Sequence, residues 1–287
     1  MPETHKSAAR TESASVFDSI ILAGDRSKGD PLHQHSGTRS KAMAPINGIP
    51  MIHRVINALR DAGSVESINL SGPDEASTLT DRTLSQWMQE NVVCWHRPEV
   101  SPSTSAYRML STMPATRPTL LTTADHPLLT SEIVDHFCRA CVETSHDVVV
   151  GLAPHDIVQA AHPDMKKTVL RFREGGYCSC NLFAFMTPGG REVADFWRRI
   201  EHERKKPLLL IRLLGWTTLL RYRLGLLTLD SALDQLSRHL SLSVGAIILP
   251  YANAAVDVDS VADYQLIQDY SREDESAQLV HRQAPAR

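Results

Sequence analysis

The sequence predicts an α/β protein with a mostly parallel sheet and helices on both faces. Three observations carry this reading. From Phe17 onward, short apolar runs alternate with stretches of helical period. Most runs stop at glycine, proline or a charged residue. The groups suited to chemistry fall just after such runs, at the edge where open α/β sheets bind ligands.

The elements follow in order. Residues 18–23 form a buried strand ending at Gly24, and a polar loop runs from there to Lys41. Residues 51–62 form a helix with Ile52, Val55, Ile56 and Leu59 on one face, and Gly63 ends it. Residues 65–70 form a second strand, closed by Ser71-Gly72-Pro73. A helix over 79–90, a short strand over 92–95 and a serine-capped helix over 103–113 come next. Residues 119–123 are a buried strand leading to Asp125. A helix over 131–143, strands over 147–152 and 181–185, and a helix over 192–205 continue the alternation. The stretch 206–227 is leucine-rich and about as long as a membrane span. Arg212, Arg221 and Arg223 interrupt it, together with Gly215 and Gly225, so two short helices packed on the sheet are the expectation. A membrane-surface or oligomer contact is the alternative there. A helix over 230–240, a strand over 242–249 and a helix through Tyr264 and Ile267 close the fold. The expected organisation is one domain over 17–270, with a helical insertion at about 190–240. Polar tails over 1–16 and 271–287 flank it.

Composition narrows the class. A length of 287 residues, 42% hydrophobic and 22% charged, is that of a globular chain with a sizeable core. A net charge of −3 speaks against a broad nucleic-acid surface. Five cysteines, an odd number, read as reduced thiols in a cytoplasmic protein. The first residues contain no apolar run of the secretory type.

Three constellations carry the chemistry. In the first, Gly24 lets backbone approach a ligand, and Arg26, Lys28, Arg39 and Lys41 supply charge for phosphate; otherwise this is an exposed basic loop. The second is Thr122-Thr123-Ala124-Asp125-His126-Pro127. A carboxylate fixed at a strand end can hold Mg²⁺ together with substrate phosphates, or simply cap the next turn. His126 reads as structural. The third is Asp257-Val258-Asp259, two carboxylates on one side of an extended segment, able to share a metal with Asp125 or to cap the following helix.

Taken together and in order, these motifs resemble one family. Leu22-Ala23-Gly24 with Lys41-Ala42-Met43-Ala44-Pro45-Ile46-Asn47-Gly48 is similar to the opening signature of nucleotidyltransferases of the molybdopterin-guanine dinucleotide synthase type, the MobA-like NTP transferases. Thr123-Ala124-Asp125-His126-Pro127-Leu128 resembles their metal-aspartate motif, and Val256-Asp257-Val258-Asp259-Ser260 with Asp263-Tyr264 their closing motif. The resemblance implies a Rossmann-like, three-layer fold of the glycosyltransferase-A type. It implies a Mg²⁺-dependent transfer of a nucleoside monophosphate from an NTP to a phosphorylated small-molecule acceptor, with release of pyrophosphate. By position, Leu22, Ala23, Gly24 and Ser105 would contact the nucleotide. Lys41 would neutralise phosphate charge, with Arg26 or Arg39 in the loop-arginine role. Asp125 and Asp259 would hold the metal with Asp257 close by, and Asn181 would lie on the acceptor side. The second glycine of the family's opening motif is replaced by Asp25. That departure motivates an alternative, a non-catalytic nucleotide- or sugar-nucleotide-binding protein on the same fold. A glycosyltransferase is less favoured, because Thr123-Ala124-Asp125 offers one aspartate where an Asp-x-Asp is expected.

Overall fold

The structure, a computed structural model, describes residues 16–25, 31–201 and 215–283; from 273 to 283 only the backbone is described. Strand β1 (Phe17–Leu22) is buried along its whole length. It pairs in parallel with β4 (Val65–Ser71) on one side and β6 (Thr119–Thr123) on the other. Strand β5 (Cys94–His96) extends the sheet beyond β4, again in parallel. Beyond β6 lies β9 (Gly175–Phe185), antiparallel to both β6 and β7 (Val148–Pro154). Strand β10 (Val244–Ile248) runs parallel to β7 at that edge, and β8 (Leu170–Phe172) pairs with β9. The sheet is thus mixed but mostly parallel, in the order β10-β7-β9-β6-β1-β4-β5.

Helices cover both faces. In α2 (Met51–Arg60), Ile52, Val55, Ile56 and Leu59 are all fully buried, as their spacing predicts. They join the larger core with Leu120, Phe137 and Leu182. Burying a side chain of this size contributes about 1.5–3 kcal/mol. On the other face α5 (Pro102–Thr112) sets Ala106, Met109 and Leu110 against Ile20 and Leu121, together with Ala194 of α8 (Val193–Glu201). A third, smaller cluster joins Ile46 and Met51 to Val256, Val258 and Tyr264. It packs the hairpin β2 (Pro45–Ile46) and β3 (Ile49–Pro50) against the end of the chain. Asn47 and Gly48, with φ of 48° and 78°, make that hairpin's tight turn.

Several expectations change. The helix expected over 79–90 is two helices, α3 (Glu75–Thr80) and α4 (Arg82–Gln89). The Asp81 side chain accepts the Leu84 N–H at 2.7 Å, so the chain restarts a helix where continuous periodicity had been read. Strand β9 is more than twice the expected 181–185 and begins at Gly175. Helix α7 (His155–Ala161) and strand β8 were not foreseen. The closing helix continues through Ser271 to Gln283. Of the two helices expected in 206–227, α9 (Trp216–Arg223) is described, and residues 202–214 lie outside the described residues. Helix α9 packs Tyr222 on Phe172 at 6.1 Å and leaves Trp216 and Leu220 exposed. No helix among the described residues is long and apolar enough to cross a membrane. Helices α1 (Pro31–Ser36), α6 (Ser131–Val142) and α10 (Leu229–Leu240) complete the set used below, with α11 (Val261–Gln283) as the closing helix.

Candidate functional site

Strand register sets the site. Leu22 lies level with Ser71 of β4 and with Thr123 of β6, and Ser71 lies level with His96 of β5. Four strands therefore end together, and the residues just beyond them form one cleft. Backbone bonds continue past the strand ends. Ala23 N–H donates to Ser71 O at 2.8 Å, Ala124 N–H to Leu22 O at 3.0 Å, and Gly72 N–H to His96 O at 3.1 Å. The cleft is lined by Leu22, Ala23, Gly24, Lys41, Ser105 and Asp125, with Asp25, Ser71, Glu99, Ser101 and Asp259 around them. Gly72 packs so closely on the opening turn that a Cβ there would lie 2.8 Å from Gly24 N.

Lys41 is the centre of charge. Its Nζ donates to Asp125 Oδ2 at 2.7 Å and to Asp259 Oδ1 at 2.9 Å. Burial disfavours the ammonium, but the two carboxylates outweigh it and raise Lys41 to about 12. Burial likewise opposes the Asp125 charge. The Lys41 charge, with smaller help from His126 and a 2.6 Å bond from Thr123 Oγ1, holds Asp125 at about 2. Asp259 is far more exposed than Asp125, so its bond is the more readily exchanged of the two.

The closing segment is delivered by alternation. Val256 and Val258 are fully buried, so Asp257 and Asp259 project the other way. Val258 N–H donates to Asp125 O at 3.0 Å, which locks this segment to the aspartate loop without using either carboxylate. Ser260 N–H donates to Asp263 Oδ2 at 2.9 Å and starts α11. From α11, Tyr264 Oη and Gln268 Nε2 each donate to Pro45 O at 2.6 Å, tying the helix to the hairpin that follows Lys41.

Most residues singled out in the sequence meet here. Leu22, Ala23, Gly24, Lys41, Ser105, Asp125 and Asp259 line one cleft. Ser105 is buried, and its Oγ accepts the Glu99 N–H at 2.9 Å, so it shapes the loop before α5. Asp257 sits beside this group with a cation of its own. Its Oδ1 pairs with Lys167, and its Oδ2 accepts Asn181 Nδ2 at 3.2 Å. The same amide donates to His126 Nε2 at 2.9 Å, and Asn181 takes a left-handed φ of 48° to reach both. Burial lowers the His126 pKa despite the neighbouring Asp125 and Asp257, and the neutral ring accepts this bond. Arg26 and Lys28 lie outside the described residues. Arg39 does not line the cleft, and its charge helps to lower the Asp74 pKa.

Sequence reasoning missed three contributors. Asp25 Oδ1 accepts the Lys41 N–H at 2.9 Å and lies 3.2 Å from His33 Nε2. Thr123 fixes Asp125, and Lys167 holds Asp257. The Thr-x-Asp spacing was a usable signal, since strand alternation puts both side chains on one face. Lys167 comes from the connection between α7 and β8 and carries no local signal.

Such a site, a cleft with a lysine and paired carboxylates at the carboxyl ends of parallel strands, is the arrangement expected of a nucleotide-using transferase of the glycosyltransferase-A type. The comparisons agree. A family model described as the MobA-like NTP transferase domain matches residues 19–213. The chain belongs to that family, and it is a nucleotidyltransferase-type enzyme. A hypothetical transferase from Thermus thermophilus superposes with a TM-score of 0.70 at 28% identity, covering 87% of this chain and 99% of that one. CMP:2-keto-3-deoxy-manno-octonic acid synthetase, solved with CTP, gives 0.54 at 12% identity, over 90% and 99% of the two chains. 4-diphosphocytidyl-2C-methyl-D-erythritol synthase from Anaerococcus prevotii gives 0.55 at 9%, over 90% and 97%. At that identity the last two show the fold alone. No curated protein matches the chain.

Proposed function

We propose that the chain transfers a nucleoside monophosphate from an NTP to a phosphorylated small-molecule acceptor, with Mg²⁺ as cofactor and pyrophosphate as the second product. The single observation that carries this is the Lys41 ammonium bridging Asp125 and Asp259 at the mouth of the cleft. An acceptor phosphate oxygen attacks the α-phosphorus, and the bond to the bridging oxygen of pyrophosphate breaks. The backbone of Leu22, Ala23 and Gly24 lies against base and phosphates, and Ser105 holds the α5 side of the cleft. Lys41 neutralises charge on the transferred group, and Arg26 is the proposed loop arginine. Catalysis is positioning plus charge neutralisation.

The metal fits the donors present. Asp125 and Asp259 offer hard carboxylate oxygens that already converge on one cationic atom. Among the described residues no group of three or more His, Cys, Asp or Glu is placed to enclose a metal ion. The two aspartates would therefore hold Mg²⁺ together with substrate phosphates, with Asp257 beside them. Bound there, Mg²⁺ supplies charge neutralisation at the phosphates. Five free cysteines, four of them buried, support a cytoplasmic setting.

The non-catalytic alternative rests on Asp25, read as a charge repelling phosphate. Its contacts with Lys41 N–H and His33 support instead a role in fixing the loop. A thermal-shift series with ATP, GTP, CTP and UTP, with and without Mg²⁺, tests the reading. One NTP should raise the melting temperature in a Mg²⁺-dependent way, since a ligand at about a hundred times its dissociation constant adds roughly 2.7 kcal/mol. No shift with any of the four contradicts it.

A further inference from the structure

Lys41 Nζ occupies the point where the oxygens of Asp125 and Asp259 converge. The Asp125 carboxylate and the backbone that presents Asp259 are both positioned without the lysine. Asp125 is anchored by Thr123 Oγ1 and by the backbone bond from Ala124 N–H to Leu22 O. The backbone leading to Asp259 is anchored by Val258 N–H on Asp125 O and by the Asp263 cap at Ser260. The Lys41 backbone is anchored separately, by Asp25. Its ammonium is thus the member of the group that can be re-aimed without moving backbone, on a flexible stem, and the same side chain borders the space in which a triphosphate would lie.

We infer that Lys41 is a placeholder for the metal ion, so that a divalent cation enters with the nucleotide and not before it. An ammonium and a divalent cation cannot share one pair of carboxylate oxygens at bonding distance. In the nucleotide-free enzyme the lysine balances one of the two negative charges and blocks the position. A triphosphate offers the ammonium new oxygens on the cleft side. Lys41 turns to them, and Asp125 and Asp259 are released to the ion that accompanies the phosphates. The inference rests on the proposed nucleotidyl transfer and adds the order of assembly to it.

Mn²⁺ binding to the full-length protein, followed by electron paramagnetic resonance, tests the order without any measurement of turnover. Nucleotide-free wild type should bind Mn²⁺ weakly. The α,β-methylene analogue of the NTP that it uses, found by trying all four, should tighten Mn²⁺ at least about tenfold. Lys41→Met should bind Mn²⁺ about tenfold tighter than wild type with no nucleotide present, and adding Asp259→Asn to it should abolish that gain. Lys41→Gln provides the same comparison if the methionine variant does not fold, and the wild-type comparison needs no variant. Equal Mn²⁺ affinity of wild type with and without each analogue, at a level that Lys41→Met does not exceed, overturns the placeholder role. Absence of Mn²⁺ binding in every protein, with and without nucleotide, overturns the metal-dependent reading itself.

Discussion

Asp25 and Lys41 are joined through the backbone, with Asp25 Oδ1 accepting the Lys41 N–H at 2.9 Å. The residue that departs most from the family's opening motif therefore holds the loop that presents the lysine. Asp25→Ala removes this acceptor and should lower kcat/KM by about tenfold, the worth of one hydrogen bond to a charged group. Asp25→Asn keeps an acceptor oxygen and should restore most of the loss. Steady-state kinetics of the two variants side by side decide it. Equal activity in wild type and Asp25→Ala would show that the loop holds its shape without this bond.

Lys41→Met should reduce kcat by about a hundredfold or more, because it removes the charge proposed to neutralise the transferred group. The variant also leaves the Asp125 carboxylate without its cation, so the melting temperature should fall as well, by roughly 5 °C. Single-turnover kinetics beside thermal melts separate the two effects. A variant with unchanged kcat contradicts the assigned role.

The Lys41–Asp125 pair gives stability a definite pH dependence. Asp125 titrates at about 2 in the folded protein against an ordinary 3.8. A lowered carboxylate pKa stabilises above the unfolded value, and the contribution disappears as pH falls through the folded one. At neutral pH it is on the order of 2 kcal/mol. Lys41 acts from the other side. It is raised from 10.5 to about 12, so its contribution is complete below 10.5 and is lost as pH rises through 12. The gap in urea midpoint between wild type and Asp125→Asn should hold steady from pH 5 to 9 and shrink to roughly half near pH 3. A gap that does not vary with pH would contradict the pairing.

Gly72→Ala should damage the site from a distance. Its Cβ would lie 2.8 Å from Gly24 N and 2.9 Å from Ala23 C, on a backbone with φ of 90°. Strain of this kind costs about 2 kcal/mol, or roughly 5 °C in melting temperature for a chain of this size. The nucleotide-dependent thermal shift should weaken as well, since the displaced atoms belong to the loop proposed to contact the nucleotide. A normal melt with a normal nucleotide shift would show that the loop can yield.

Much of this was legible in the sequence, and the reasons differ by element. The buried face of α2 was readable because Ile52, Val55, Ile56 and Leu59 share one helical stripe. Gly24, Lys41, Asp125 and Asp259 were readable because each follows a strand or a short motif whose chemistry is local. The break at Asp81 was misread because apolar spacing runs through it, although aspartate is a common helix cap. Strand β9 was cut short because Gly175-Gly176 carries little strand signal, and its antiparallel pairing depends on partners far away in sequence. The Lys167–Asp257 pair spans 90 residues and is a product of the fold alone.

The most direct test of the account is ³¹P NMR of the full-length protein with Mg²⁺, each NTP in turn and a pool of phosphorylated small molecules. Nucleotidyl transfer should produce free pyrophosphate together with a new diphosphate-linked resonance, and both should vanish on adding EDTA or in Asp125→Asn. Unchanged NTP under every combination, or inorganic phosphate with no diphosphate-linked product, would contradict it.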